Sequence, residues 1–194
     1  MALHNDPKRS YHTLFHLEEM IGYMKFFSEV DRDILLMATF FHDAIYDPKS
    51  GTNEEDSAVL FQEFCKEMGE SRLPTLENVV VDMILATKSH NATEMQTANK
   101  DLLCLLDIDM AVLGKDAAAY EVYAGLIRKE YIFVAEETYC EKRAEILEKF
   151  LEEKSIFCTP LLRSSLETRA RTNLRSEVES LRRGRIPGHQ VQGG

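Results

Sequence analysis

Residues 31–46 read DRDILLMATFFHDAIY, and this stretch decides the fold class. From Ile34 to Ile45 nearly every position is apolar, with no alternation of the kind a half-buried strand would show. Such a segment predicts a helix from about Asp31 to Tyr46, apolar all round and therefore central to a fold. Asp47-Pro48 stops it, because a residue before proline is pushed out of the helical region. Within this apolar run stand two groups that do not belong there, His42 and Asp43. An ionised carboxylate buried without a partner is very costly, so the pair demands a compensating charge. A hydrogen-bonded core histidine beside a salt-bridged aspartate would be one answer, and a metal ion is another.

Working outward, helical periodicity continues on both sides. Leu14, Leu17, Ile21 and Met24 predict a helix over about Thr13 to Phe27. Thr52-Asn53-Glu54-Glu55 reads as a capping box, with Thr52 at the cap, opening a helix to about Met68. Another helix carries Val80, Val81, Ile84 and Leu85 and ends near His90, with Pro74 in the connection before it. Val79 to Val81 is the one local strand signal, too short to stand against its surroundings. A short helix follows over Leu102 to Leu113, stopped by Gly114, then longer ones over about Ala117 to Val134 and Glu137 to Glu153. Thr159-Pro160 opens the last, a cap residue followed by proline at the first helical position. The expectation is an all-α protein, a single compact multi-helix bundle over residues 1–183 with a flexible tail over 184–194.

The chain has 194 residues and a formal net charge of −10. An acidic surface disfavours binding a nucleic-acid duplex through its phosphates. A small anionic substrate stays compatible, because a local cation outweighs a diffuse field. Cys65, Cys104, Cys140 and Cys158 are scattered, with no C-x-x-C pair, and read as core thiols of a reducing compartment. The first ten residues have no apolar signal core and no stretch is long enough to span a bilayer, so the reading is cytoplasmic with no membrane partner.

Two further anomalies join His42-Asp43. His12 and His16 are four apart at the start of a helix and share a face. Asp107 and Asp109 interrupt another apolar helix; two residues apart, they point about 200° from each other, so one readily faces a given site. The other then caps, pairs, or supports a ligand. His4 and His189, near the termini, read as solvated. Imidazole and carboxylate without thiolate suit Mn, Fe, Co, Ni, Zn or Mg, and a mixed His/Asp set with open positions is the design of a catalytic site.

His16, then His42-Asp43, then a downstream aspartate resembles the H…HD…D order of the HD superfamily of metal-dependent phosphohydrolases. The segments 11–16 (YHTLFH), 41–48 (FHDAIYDP), 53–58 (NEEDSA) and 107–114 (DIDMAVLG) look like one subgroup of compact HD phosphohydrolases. The likeness extends through residues 128–131, 156–157 and 171–174. The resemblance implies an HD-type helical domain that binds one divalent metal ion through His16, His42, Asp43 and an aspartate. An apolar stretch commonly follows that aspartate in HD proteins, which favours Asp109 with Asp107 as second choice. It implies hydrolysis of a phosphate ester or anhydride in a nucleotide or small phosphorylated metabolite. Asp43, Glu54 and His90 are the catalytic candidates, Glu54 as the base and His90 as a phosphate contact or second-metal ligand. His12, Lys88, Arg9 and Arg128 are the candidates for substrate binding. The same scaffold also supports a metal-binding sensor without turnover and an iron-dependent oxygenase. The apolar content and long C-terminal helices would permit a homodimer.

Overall fold

The computed structural model describes residues 3–69, 73–89 and 99–188, without the side chains of 73–75. The all-α expectation holds: among the described residues there are eight α-helices, two short 3-10 turns and no strand. The residues 79–81 that hinted at a strand lie inside a helix. His90, most of the loop over 91–99, His189 and the end of the tail lie outside the described residues. The chain divides into two compact units, Met1–Asp109 and Met110–Gly194.

The first unit begins with a 3-10 turn, Leu3–Asn5, and is built on five helices: α1 (Leu14–Met24), α2 (Arg32–Phe41), α3 (Asn53–Met68), α4 (Leu73–Ala86) and α5 (Lys100–Asp109). Helix α2 is the hub, packing against α1, α3, α4 and α5. The Asp31 carboxylate caps it by accepting from the backbone N–H groups of Asp33 and Ile34. Its inner face is Leu35, Ala38 and Thr39, whereas Phe40 is 40% exposed, so the helix is one-sided and not apolar-buried all round. The stripe Leu17, Met20 and Met24 on α1 and the run Cys104, Leu105, Leu106 and Ile108 on α5 bury against the same core.

Two sequence expectations change in detail. The capping box does not form. Thr52 makes no cap bond, and its hydroxyl donates to the Asp56 carboxylate at 2.9 Å, while Glu55 pairs with Lys88. Pro74 lies in the first turn of α4 and not in a connection, a position that tolerates its missing N–H. At the other end of α3, Gly69 adopts φ +63° and its N–H returns to the Cys65 carbonyl, a left-handed stop suited to glycine.

The second unit opens with a 3-10 turn, Met110–Gly114, followed by α6 (Ala117–Glu130), α7 (Glu136–Glu152) and α8 (Pro160–Arg182). Thr159 caps α8 by accepting from Leu162 N–H, as its position before proline predicts. Helices α7 and α8 run antiparallel: Arg143 meets Glu177, and Arg171 reaches the Leu151 carbonyl. The Asn173 amide donates to the carbonyls of Leu113 and Lys115, fastening the 3-10 turn to α8. Gly114 makes that approach feasible, since a Cβ there would lie 2.5 Å from the Leu166 Cβ. Replacing Gly114 by alanine should therefore force the turn off α8 and cost about 1–3 kcal/mol, the usual penalty for overpacking. Urea unfolding of Gly114→Ala against the parent measures it, and an unchanged midpoint would refute the packing argument.

Candidate metal centre

The site is made by the end of α2. The sequence predicts helix to Tyr46, but α2 stops at Phe41 with His42 as its C-terminal cap. The reason is that tertiary partners take over the backbone groups a continued helix would use. The Arg9 guanidinium donates to the carbonyls of Asp43 at 2.7 Å and Ala44 at 2.8 Å, and also to His12 at 3.1 Å. The buried Ser57 hydroxyl accepts from Ile45 N–H at 3.0 Å and donates back to the Ile45 carbonyl at 3.2 Å. Asn53 does the same for Asp47, accepting from its N–H and donating to its carbonyl, each at 2.9 Å. The chain leaving α2 is thus held from the N-terminal segment on one side and from the start of α3 on the other.

This exit fixes the histidine chemistry. His42 is 1% exposed, and its Nδ1 lies 2.8 Å from the Thr39 carbonyl. A proton on Nδ1 donated to that oxygen leaves Nε2 as the nitrogen that could hold a ligand. That Nε2 lies 3.1 Å from the Asp43 carboxylate and 3.7 Å from that of Asp109. From α1, His16 is 2% exposed and its Nε2 stands 3.1 Å from the same Asp109 oxygen. Neither Nε2 makes an aligned hydrogen bond, although both are buried and close to carboxylate oxygen. Donor atoms that converge without bonding one another are what a shared cation would require. One ligand atom each from His16, His42 and Asp109 lies within 4.8 Å of the others.

Three helices therefore bring His16, His42 and Asp109 together, with Asp43 against His42. Asp109 ends α5 and joins the histidines. Asp107, on the opposite side of the same helix, is 1% exposed and is absent from this group. His12 stands at the rim. Its ring lies 4.2 Å from the Tyr46 ring, and its Nε2 is 3.9 Å from the Asp43 carboxylate. Arg9 lies over the other partner of that stack, 5.5 Å from the Tyr46 ring centre.

The remaining candidates sit differently. Glu54 is in the first turn of α3, with its carboxylate 3.9 Å from the Lys88 ammonium. Lys88, in the turn after α4, also donates to Glu55 and to the Gly51 carbonyl. Arg9 is a bracket for backbone carbonyls at the centre's edge. Arg128 belongs to the second unit, where it donates to the carbonyls of Tyr131 and Val134 and lies over the Tyr139 ring. Sequence reasoning missed two residues, Tyr46 and His4. His4, expected to be solvated, is 5% exposed in the N-terminal 3-10 turn. The signal for its return was Asp6-Pro7, a turn pair: the Asp6 carboxylate takes Lys8 N–H and its carbonyl takes Arg9 N–H.

Electrostatically, burial alone would lower the His42 pKa, but the Asp43 and Asp109 carboxylates overrule it and hold it well above the usual histidine value. Burial would raise Asp43, yet the charges of His42 and His12 hold it well below the carboxylate range. Comparison with family models, with curated proteins and with solved structures returns no match to this chain.

Two outcomes follow from this geometry. Arg9→Lys leaves a point charge that cannot span the three carbonyls, so affinity for Mn(II) should fall about 10–100-fold, as for other supports of metal ligands. Titration calorimetry reads it, and unchanged affinity would remove Arg9 from the centre. Because the His42 pKa is raised, the proton is bound below that pKa and must leave when a cation binds. Zn(II) binding at pH 7 should release about one proton from the histidine, and the release should shrink as the pH rises through the raised pKa. Calorimetry in buffers of different ionisation enthalpy counts those protons.

Proposed function

We propose that this chain is a metal-dependent phosphohydrolase of the HD superfamily, acting on a nucleotide or small phosphorylated metabolite. The observation that carries the reading is the convergence of buried His16 Nε2, buried His42 Nε2 and an Asp109 oxygen within 4.8 Å, with neither nitrogen engaged in an aligned hydrogen bond. The order in which those residues occur, H…HD…D, supports it independently of the geometry.

His16, His42, Asp43 and Asp109 would hold one divalent cation, and their nitrogen and oxygen donors fit Mn, Fe, Co, Ni, Zn or Mg. A cation there would acidify a coordinated water and polarise a phosphoryl oxygen. Asp43 would keep its position through the Arg9 bond to its carbonyl. His12, braced on Tyr46, would meet the substrate at the rim. Glu54 is our candidate to take the proton, with Lys88 beside it to offset phosphoryl charge. The acidic surface, net −10, favours a small substrate over a nucleic-acid duplex. A cytoplasmic location suits the buried thiols of Cys65, Cys104 and Cys140. No helix among the described residues is long and apolar enough to cross a membrane.

The test is metal analysis of the purified protein combined with a screen of phosphorylated metabolites, repeated on His42→Ala with Asp43→Ala. The parent should hold about one equivalent of metal and release phosphate, and the double variant should lose both, because it removes two of the donors. Metal content unchanged by that substitution would reject the assignment. Asp109→Ala should lose the metal, whereas Asp107→Asn should keep it. The reverse result would exchange the roles of the two aspartates.

A further inference from the structure

The His12 side chain is 19% exposed and that of Asp43 17%, so solvent reaches both, whereas His16 and His42 are sealed. His12 Nε2 lies 3.9 Å from Asp43 Oδ2, and His42 Nε2 lies 3.1 Å from the same oxygen. One carboxylate oxygen is therefore shared between a buried imidazole and a partly exposed one. His12 precedes α1 and belongs to a turn that Thr13 N–H closes on the Tyr11 carbonyl. Two aromatic rings pack on its imidazole. Tyr11 meets it edge-on at 4.9 Å, and Tyr46 lies across its face at 4.2 Å with a tilt of 31°. The Tyr46 backbone is pinned on both sides. Ser57 bonds the N–H and carbonyl of Ile45 before it, and Asn53 bonds those of Asp47 after it. The Arg9 guanidinium also lies over the Tyr46 ring, 5.5 Å from its centre. Tyr46 is thus a fixed plate at the exit of α2, and His12 rests on it. A side chain held in place beforehand loses little rotamer freedom when it takes a ligand, and so binds it more tightly.

We propose that Tyr46 is a positioning residue of this centre: its ring holds the His12 imidazole with Nε2 beside the Asp43 oxygen, where that nitrogen bonds a phosphoryl oxygen of the substrate. The proposal rests on the phosphohydrolase reading above and adds an aromatic residue that the H…HD…D order does not contain. The role belongs to the ring and not to the hydroxyl, because a stack is made by faces. It also gives the early end of α2 a second use. The bonds from Ser57 and Asn53 that shape the exit place Tyr46, and Tyr46 in turn places a side chain from the N-terminal segment.

The experiment uses the full chain loaded with Zn(II) and inorganic phosphate as probe. Tyr46→Leu should keep its zinc and weaken phosphate binding about tenfold, the loss of one hydrogen bond to a charged group. Tyr46→Phe, which keeps the ring, should retain most of the affinity. In a His12→Ala background Tyr46→Leu should cause no further loss, because a residue that acts through another has nothing left to position. Spectra of the histidine ring protons should show the His12 signals displaced by the Tyr46 ring in the parent and in Tyr46→Phe, and released in Tyr46→Leu. Three results overturn the role of Tyr46 and leave the phosphohydrolase reading standing: Tyr46→Leu binding phosphate as tightly as the parent, an equal loss with His12 absent, or His12 signals that do not move between the variants. A folded Tyr46→Leu that loses its zinc also overturns it, since the ring would then support the metal and not His12. A parent that takes up no zinc removes the metal centre and the proposal together. Should Tyr46→Leu fail to fold, the parent decides: added phosphate should move the His12 Nε2 resonance, and an unmoved resonance overturns the proposal.

Discussion

The bonds that Arg9 and Ser57 make to the backbone beyond Phe41 are the constraint on which the rest of the site depends. Neighbouring positions on an α-helix stand about 100° apart and do not face each other. Had α2 continued, His42 and Asp43 would point in different directions. Because the chain turns out of the helix there, the Asp43 carboxylate comes 3.1 Å from His42 Nε2. The bonds that end the helix also prevent the cost of ending it. Beyond the helix the carbonyls of Asp43, Ala44 and Ile45 lack helical partners, and a guanidinium and a hydroxyl satisfy them. Arg9 has a second consequence, since its own backbone N–H closes the Asp6-Pro7 turn on the Asp6 carbonyl.

A centre of this composition is poised electrostatically. Two carboxylates flank His42, and a third group, His12, leans on one of them. The Asp43 and Asp109 carboxylates raise the His42 pKa in spite of its burial. A divalent cation would compensate those carboxylates in a fixed geometry. Buried carboxylates left with unbalanced negative charge would be costly. Within the second unit, a different buried charge is balanced without any ion: Glu177 accepts from the Tyr120 hydroxyl and from Arg143, between α6, α7 and α8. There the donors are aligned and the carboxylate is paired, so the cluster reads as a structural bolt.

Much of the fold was legible. The apolar periodicities around Leu17, Phe61, Val80 and Leu105 gave helices within a few residues of those observed, because burying a stripe requires that spacing. Proline at the start of α8 marked a boundary through its fixed dihedral. What failed was the far end of α2. Propensity and apolar content both extended it to Tyr46, and nothing local reveals that Arg9 and Ser57, 34 and 12 positions from the residues they bond, would end it early. The capping box failed likewise, since Glu55 found Lys88 across 33 positions.

For the site, the sequence by itself determined the donor types and their order: imidazole at His16, the His42-Asp43 pair, and an aspartate from two alternatives on α5. Helical spacing even limited that choice to one, because residues two apart face away from each other. Only the tertiary structure decided that Asp109 is the one that meets the histidines, that Arg9 holds backbone carbonyls, and that a histidine near the terminus is buried. The reason is physical. Which side chains are chemically able to bind is a property of the residues, but which of them converge depends on contacts between segments far apart in the chain.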